Sequence, residues 1–308
     1  MNKKICIIVP VCNEMDNVCT LVKAIQLVME PLPYVYSITF VDDGSNDGTL
    51  GRIRHLAILN KNVFFISFSR NFGHQNALKA GIDSCRGDCM ISMDGDLQHP
   101  PALIPQMIRY WEQGHDIVYT IRQYGRAISG FKRRSSGMFY KAINQLSDIE
   151  LESGSADFRL LDRKVTDVLR EFKEYELFWR GLIKWMGFKQ IAIAYEASVR
   201  TSGKSKYTFP KMVQFALHGI TSFSTKPLSM AIYMGFACFL VSLLYIPYIT
   251  ISLYLGRAIS GWASLLATVV FFGGVQLLIL GIIGIYLGKL FIQAKQRPQY
   301  IIRETNLP

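Results

Sequence analysis

The chain has 308 residues, of which half are apolar, and a formal charge of +11 at pH 7. Its six cysteines form no CxxC pair and have no histidine at zinc-binding spacing, which argues against a zinc module and indicates reduced thiols of a cytoplasmic domain. Because two long stretches near the C-terminus carry no charge, we assign the basic excess to an anionic lipid surface and expect no nucleic acid partner.

Strands and helices alternate along the first hundred residues. The apolar run ICIIV at 5–9 predicts a buried strand and not a signal peptide, because polar residues follow it at once without a cleavage pattern. Periodicity predicts further strands and helices, in chain order, at 16–29, 37–41, 47–59, 63–67, 76–84 and 89–93. Such alternation predicts an α/β fold with a mostly parallel, Rossmann-like sheet.

Polar and acidic sequences follow the predicted strands, where ligands of parallel sheets bind. These strand ends have the sequences PVCNE, DDGSNDG, SRNFG and DGDLQ. In the last of them, Asp94 and Asp96 lie so close that they repel unless a cation or hydrogen-bond donors lie between them. The alternative is an acidic turn with Gly95 at positive φ. No GxGxxG or GxxxxGK[ST] motif occurs at these ends, so a dinucleotide fold or a P-loop has no support.

A strongly basic stretch follows a predicted helix at 100–113 and a predicted strand at 116–120. Residues 117–147 contain no acid and six basic residues, namely Arg122, Arg126, Lys132, Arg133, Arg134 and Lys141. A phosphate-binding loop explains this single sign of charge, and a solvated surface loop is the alternative. Carboxylates at the strand ends and cations nearby fit a diphosphate whose charge is shared between Mg²⁺ or Mn²⁺ and arginines.

The C-terminal third predicts a membrane attachment. Residues 208–226 have the apolar stripe of an interfacial amphipathic helix, although a helix packed on the soluble domain has the same period. Residues 227–290 contain two predicted transmembrane helices, at about 228–252 and 263–288, and residues 291–308 a predicted tail. Basic residues flank this hairpin, so both termini are expected in the cytoplasm of a bacterial inner-membrane protein. A GxxxG spacing at Gly284 and Gly288 makes a homo-oligomer reasonable.

Six stretches carry a resemblance to a known family. They are IIVPVCNE, VDDGSNDGT, RNFGHQNALKAG, MDGDLQHPP, SADFRLLDR and RTSGKSKY. Together they resemble glycosyltransferase family 2, and within it the membrane enzymes that move a sugar from a nucleotide onto a polyprenyl phosphate. These are dolichyl-phosphate mannose synthase and the bactoprenol glucosyltransferases of the GtrB type. The motifs run in the family's order from residue 5 to about 210.

The resemblance implies a GT-A fold for residues 1–207 and a set of site residues. Expected to bind the nucleotide sugar are Pro10, Val11, Asn13, Glu14, Asp42, Asp43, Asp94, Gly95, Asp96 and Gln98. Asp96, with Asp94, is the expected ligand of Mg²⁺ or Mn²⁺. Expected to meet the acceptor phosphate are Arg122, Arg126, Lys132, Arg133, Arg200, Ser205 and Lys206. Catalytic roles are expected for Asp96, Asp157 and Arg159, although Asp157 with Arg159 is nearly as well explained as a structural ion pair. For Asp42, Asp43 and Gly44 the alternative is a turn.

The resemblance further implies inverting transfer of a hexose, with UDP-glucose as the first choice of donor, onto undecaprenyl or another polyprenyl phosphate. The alternatives are a GDP-mannose-dependent mannose synthase and a non-catalytic, membrane-anchored protein that binds nucleotide sugars. A processive polysaccharide synthase is disfavoured because QxxRW is absent. A phosphate monoester, with a second pKa of about 6, is already mostly dianionic at neutral pH, so we expect Asp157 to orient a substrate more than to remove a proton.

Overall fold

The computed structural model of the protein describes residues 3–123, 154–175, 177–196, 224–256 and 261–308. Several predictions concern residues outside these ranges. They are the predicted phosphate contacts of Arg126, Lys132, Arg133, Arg200, Ser205 and Lys206, and the amphipathic helix at 208–226 up to residue 223.

Eight strands form one mixed sheet in the described part of the chain. They are β1 (Lys4–Val11), β2 (Val35–Asp42), β3 (Val63–Phe68), β4 (Cys89–Ser92), β5 (Ile117–Gln123), β6 (Ser155–Asp162), β7 (Gln190–Glu196) and β8 (Ile302–Thr305). Their order across the sheet is β7-β5-β6-β4-β1-β2-β3-β8. β4, β1, β2 and β3 run parallel, as do β5 and β7, whereas β6 and β8 are antiparallel to their neighbours. The predicted mostly parallel α/β sheet is confirmed.

Eight α-helices accompany these strands in the described ranges. They are α1 (Met15–Met29), α2 (Thr49–Leu59), α3 (His74–Ser84), α4 (Ile104–Glu112), α5 (Arg163–Glu171), α6 (Trp179–Trp185), α7 (Lys226–Tyr254) and α8 (Trp262–Ala294). The helix predicted at 100–113 is a short 3₁₀ turn, Pro101–Leu103, followed by α4. The helix predicted from residue 76 begins two residues earlier, directly after Gly73, whose φ of 97° is readily adopted only by glycine.

Alternate residues of β1 point into two different hydrophobic layers. Ile5, Ile7 and Val9 pack with α1 and α4 on one face of the sheet. Cys6 and Ile8 pack with α3, α5 and α6 on the other face. Each fully buried isoleucine stabilises the fold by about 1.5–3 kcal/mol. Because both faces of the strand are covered, its sequence is continuously apolar and not alternating.

The two long C-terminal helices coincide with the two predicted transmembrane helices. Within the described residues, one stretch is long and apolar enough to cross a membrane, Thr268–Ala294 in α8, with a mean hydropathy of 2.3. A shorter apolar stretch, Lys226–Val241, lies in α7. The transmembrane hairpin and its orientation remain predictions, as does an oligomer contact at Gly284 and Gly288. An added Cβ at either glycine would meet no described atom within 4 Å apart from its chain neighbours and the nearby backbone of its own helix.

The residues after α8 return to the sheet as β8, antiparallel to β3. The amide of Phe65 donates to Oδ1 of Asn306 at 2.6 Å. The ring of Tyr300 stacks on Phe68 with centroids 5.2 Å apart, and its hydroxyl donates to Oδ2 of Asp83 at 2.9 Å. The end of the long helix α8 is therefore connected to the edge of the sheet, where the sequence analysis predicted a tail and no strand.

Candidate active site

A cleft of about 200 Å³ opens at the carboxyl ends of β1, β2 and β4. It is lined by Pro10, Val11, Cys12, Glu14, Asp43, His74, Ala77, Asp94, Gly95 and Asp96. Seven of these ten residues were predicted as site residues from the strand ends. The strands that carry them are adjacent and parallel, so their carboxyl ends meet at one edge of the sheet.

Asp42, at the end of β2, is enclosed by donors of the protein itself. Its side chain is buried, and its two carboxylate oxygens accept hydrogen bonds from the amide of Ser45 at 3.1 Å and the hydroxyl of Ser67 at 2.8 Å. Gly44 has a φ of 67° and lies against the backbone of Arg70, so that a side chain there would clash. Asp42 therefore holds a turn, which is the alternative that the sequence left open for it.

Asp43 lines the cleft but is also bound by backbone amides. Phe72 donates to its Oδ1 at 2.6 Å and Gly73 to its Oδ2 at 3.0 Å. Burial raises the pKa of the Asp43 carboxyl, against these two hydrogen bonds and the nearby His74, which lower it. The hydrogen bonds connect the end of β2 to the loop before α3 and so form one wall of the cleft.

Asn13 and Glu14 follow β1 and differ in direction. Asn13 adopts a φ of 59°, and its Oδ1 accepts from the amide of Asn46 at 3.0 Å, so it supports the loop after β2. Glu14 lines the cleft, and its Oε2 accepts from Nδ2 of Asn17 at 2.5 Å. Of this predicted pair, the structure brings Glu14 to the cleft and directs Asn13 towards the neighbouring loop.

Asp94, Gly95 and Asp96 do not form the glycine turn that the sequence allowed as an alternative. The positive φ of this segment belongs to Leu97, at 62°, and not to Gly95. A Cβ on Gly95 would lie 2.6 Å from Cγ1 of Val11, so the glycine is required by the packing of β1 against this loop. Both half-buried carboxylates line the cleft, and Oδ1 of Asp96 accepts from the amide of Gln98 at 3.1 Å.

The donor chemistry of Asp94 and Asp96 fits a hard divalent cation. Mg²⁺ and Mn²⁺ prefer oxygen ligands and are commonly held by one or two carboxylates together with substrate phosphates. No cluster of three or more His, Cys, Asp or Glu side chains that could hold a metal ion occurs among the residues that the structure describes. The carboxylate pair therefore suits a cation that is bound jointly with a phosphate ligand.

Gln98 and His99 are buried residues that contact the acidic loop. The buried side chain of Gln98 accepts a hydrogen bond at its Oε1 from the guanidinium of Arg122 at 3.0 Å. The ring of His99 stacks on Phe158 with centroids 5.3 Å apart, and its Nδ1 accepts from the amide of Asp94 at 3.0 Å. A residue predicted for the nucleotide sugar, Gln98, is thus in contact with one predicted for the acceptor phosphate.

Asp157 on β6 is held by a two-point contact with Arg180. Nε and one terminal nitrogen of Arg180 donate to the two carboxylate oxygens, each at 3.0 Å. Burial by itself would raise the pKa of Asp157, but Arg180, with smaller effects of Arg159 and His74, holds that pKa well below its usual range. Arg159 lies 4.0 Å from the carboxylate, and its Nε donates to the carbonyl of Ala156.

His74, the first residue of α3, lies between two carboxylates. Its Nε2 is 3.5 Å from Oδ1 of Asp94 and 3.8 Å from Oδ2 of Asp157. The side chain is 40% exposed, so it can face a ligand in the cleft. One imidazole therefore connects the acidic loop after β4 with the carboxylate on β6.

Sequence reasoning missed Arg180 and gave His74 no role. Arg180 occurs in the segment FWRGL, which matches none of the motifs recognised above. His74 directly follows NFG, and its position at the strand end after β3 was the one available signal. The pairing of Arg180 with a residue 23 positions earlier depends on the packing of α6 against β6.

Comparisons with known proteins show to which family the chain is similar. The family described as "Glycosyl transferase family 2" matches residues 6–170. A prophage-derived bactoprenol glucosyl transferase of Shigella flexneri is 38% identical over 304 residues, which cover 98% of each chain. An uncharacterized glycosyltransferase of Bacillus subtilis, YkcC, is 39% identical over 300 residues, covering 97% of this chain and 93% of that one.

A solved structure shares the fold. Mannosyltransferase PcManGT from Pyrobaculum calidifontis, in complex with GDP-Man and Mn²⁺, superimposes with a TM-score of 0.53 at 14% sequence identity. The match covers 96% of this chain and 87% of that one. The likeness extends beyond the sheet to almost the whole length of the chain, and the predicted GT-A fold is confirmed.

Proposed function

The chain belongs to glycosyltransferase family 2, and from this we propose that it transfers glucose from UDP-glucose to undecaprenyl phosphate or another polyprenyl phosphate, with inversion. The observation that carries the proposal is the near-complete match to bactoprenol glucosyl transferases, at 38% identity. The name of these relatives specifies both a glucosyl group and a polyprenyl lipid. The cleft adds an acidic pair, Asp94 and Asp96, suited to a nucleoside diphosphate with a divalent cation.

The donor would bind with its diphosphate at the acidic loop. Asp94 and Asp96 would hold a divalent cation, which would supply positive charge to the nucleoside diphosphate. Pro10, Val11 and Glu14, which line the cleft at the end of β1, would contact the nucleoside. In PcManGT the solved complex contains GDP-Man and Mn²⁺, which supports a nucleotide sugar and a divalent metal as the class of ligand here.

The acceptor phosphate would attack the anomeric carbon directly. At neutral pH this phosphate is mostly dianionic, because its second pKa is about 6, so its oxygen needs little deprotonation. A single displacement breaks the bond to the nucleoside diphosphate as the new bond to the lipid phosphate forms, and it inverts the anomeric centre. Arg122, with the basic residues that follow it in sequence, would offset the repulsion between two anionic substrates.

A membrane site for this reaction follows from the C-terminal helices. Polyprenyl chains stay in the bilayer, so the cleft has to lie near its surface. The side chain of Gln293, near the end of α8, donates to the carbonyl of Lys173 at 3.0 Å and accepts from the amide of Tyr175 at 2.8 Å. These contacts join the end of α8 to the segment after α5 and so support a domain held beside this helix. In the proposal, residues 1–207 are the cytoplasmic domain, residues 227–290 are the inner-membrane hairpin, and both termini lie on the cytoplasmic side.

A panel of labelled nucleotide sugars tests the proposal. The purified full-length protein in detergent would be incubated with undecaprenyl phosphate, Mg²⁺ or Mn²⁺, and UDP-glucose, GDP-mannose or another UDP-sugar. We expect a labelled lipid from UDP-glucose, and none when the cation is chelated. A product formed only from GDP-mannose would replace the sugar assignment, and nucleotide-sugar binding without turnover would indicate a non-catalytic protein.

A further inference from the structure

We propose that Arg180 is a positioning residue that holds the Asp157 carboxylate in one orientation at the cleft, so that Asp157 orients a substrate and is not the base. The inference rests on the proposed function, because both concern the same cleft. No motif used to recognise the family includes Arg180, and the contact joins α6 to β6 across 23 residues of sequence.

The geometry of the contact leaves little freedom to the carboxylate. Both oxygens of Asp157 accept a hydrogen bond of 3.0 Å from the same guanidinium. Paired, charge-assisted hydrogen bonds of this kind are stronger than single neutral ones and fix the plane of the carboxylate. The Asp157 side chain is only 10% exposed, so water does not replace these donors readily. Each oxygen keeps a second lone pair, but the guanidinium stabilises the ionised carboxylate and so makes it a weaker base.

Arg180 is itself held by the packing of α6. Trp179, which precedes it, is 2% exposed, and its indole Nε1 donates to the carbonyl of Gln75 at 2.9 Å. Gln75 directly follows His74 at the start of α3. The start of α6 is therefore hydrogen-bonded to α3, and the first residue of α3, His74, lies 3.8 Å from Asp157. Three elements, α3, α6 and β6, meet at this carboxylate.

Three charged or titratable groups determine the electrostatics of Asp157. Arg180 from α6 contacts both oxygens, and Arg159 on β6 lies 4.0 Å from Oδ1. His74 from α3 lies 3.8 Å from Oδ2 and also faces Asp94 at 3.5 Å. Loss of Arg180 would leave a buried carboxylate without its principal partner, and burial then favours its protonated form.

A double-mutant cycle without any substrate tests the contact. Thermal unfolding of the full-length protein in detergent would be compared for wild type, Arg180→Gln, Asp157→Asn and the double variant. We expect Arg180→Gln to lower the unfolding midpoint. Adding Asp157→Asn to that variant should lower the midpoint by less than Arg180→Gln did, because the second substitution removes the unpaired charge. Arg86→Gln is the control for the same change at an arginine without a carboxylate partner in this contact. Arg86 is exposed and donates to the backbone carbonyls of Asp83 and Cys85. Additive effects would overturn the proposed contact.

The pH dependence of transfer tests the role. Because the pKa of Asp157 is depressed, its carboxylate is ionised throughout pH 5–8 in the wild type. Its contribution to stability is lost only as the pH falls below the unperturbed value of about 3.9 towards the depressed pKa. In Arg180→Gln the pKa of Asp157 rises, because burial is no longer offset by the guanidinium, so the loss of kcat on the acidic side should begin at a higher pH than in the wild type. The titration of the lipid phosphate, near pH 6, is common to all variants, so the difference between variants is the readout.

The size of the loss distinguishes orientation from folding. Arg180→Gln should lower kcat at pH 7 by at most about tenfold, the loss expected for Asp157→Asn, with little change in the KM of the donor, as expected when an orienting group is misplaced. Arg180→Lys, which keeps the charge, should recover part of kcat and the wild-type pH limb. An unshifted pH limb in Arg180→Gln would overturn the orienting role. Absence of transfer by the wild type with every donor would instead overturn the proposed function, while the substrate-free cycle still judges the contact.

Discussion

Two acidic strand ends of this protein are alike in sequence and differ in what surrounds them. At the end of β2, Asp42 accepts hydrogen bonds from Ser45 and Ser67, and Gly44, two residues later, has the positive φ of a turn. After β4, Asp94 and Asp96 line the cleft, and the glycine between them is required by the packing of Val11. The comparison teaches that the acidic letters alone do not separate a structural turn from a ligand site.

The direction of the neighbouring strand explains the difference. β2 is followed in the sheet by the parallel strand β3, whose end supplies the hydroxyl of Ser67 to Asp42. β4 is followed by the antiparallel strand β6, with Ser92 opposite Arg159. This reversal brings the beginning of β6, and with it Asp157, to the carboxyl end of β4. Charged groups that can meet a substrate therefore collect on one side of the cleft, and groups that support the backbone on the other.

The largest expected effect breaks the comparison at Asp96. Asp96→Asn should lower the rate of transfer by on the order of 100-fold or more, since removing one electrostatic contact to a developing charge typically costs about 3–4 kcal/mol. The unfolding midpoint should stay close to that of the wild type, because Asp96 is only half-buried. Steady-state kinetics and a thermal scan of the same sample measure both quantities. Asp16→Asn, an exposed change on α1, is the control, and full activity of Asp96→Asn would reject the site.

The opposite pattern is expected at Asp42. Asp42→Asn should lower the free energy of unfolding by about 1–3 kcal/mol. Asparagine offers one acceptor oxygen in place of two, so either the hydroxyl of Ser67 or the amide of Ser45 loses its acceptor. Ser67→Ala removes the same hydrogen bond from the other side, so the double variant should cost less than the sum of the single ones. Urea titration of the four proteins measures this. An Asp42→Asn variant of unchanged stability would argue that the carboxylate serves a ligand and not the turn.

An intermediate loss of activity is expected at Asp157. Asp157→Asn should keep more activity than Asp96→Asn, with a loss of about tenfold, because an orienting carboxylate can be replaced in part by an amide, whereas a metal ligand is replaced poorly. The two variants would be assayed side by side at saturating donor and acceptor. Equal losses would place Asp157 in the reaction as a base and contradict the orienting role.

The smallest effects are expected at β8, the outermost strand of the sheet. Asn306→Ala should lower the free energy of unfolding by about 1 kcal/mol, because the amide of Phe65 loses its acceptor. Glu304→Gln, which removes only the exposed ion pair with Arg54, should change it by about 0.5 kcal/mol or less. Urea titration in detergent ranks the two. The reverse order would mean that the surface ion pair, and not backbone pairing, holds β8.

The parts of the fold that sequence predicted are those determined locally. Continuous apolar runs such as that of β1 and the helical stripe of α1 follow from burial on two faces or one, which a short window of sequence reveals. The same windows located Asp94 and Asp96 at a strand end, and parallel neighbours then brought them to the cleft. Local pattern was therefore enough for the sheet and for the acidic side of the site.

The parts that sequence missed depend on contacts between distant segments. β8 has four residues and follows a long apolar helix, so its pairing with β3 has no periodic signal. Arg180 acquires its partner only when α6 packs against α3 and β6. The distinct roles of Asp42 and Asp94 depended on which strand lies next to each, which the letters around them do not encode.

Cation-dependent binding of UDP tests the central claim most directly, namely that the acidic pair after β4, and not Asp42 at the end of β2, meets the nucleotide. Isothermal titration of UDP, with and without Mn²⁺, would be performed on the wild type, Asp96→Asn and Asp42→Asn. The account predicts that Mn²⁺ tightens UDP binding in the wild type and in folded Asp42→Asn, and that Asp96→Asn loses this tightening. Retained Mn²⁺-dependent binding in Asp96→Asn, with its loss in folded Asp42→Asn, would contradict it.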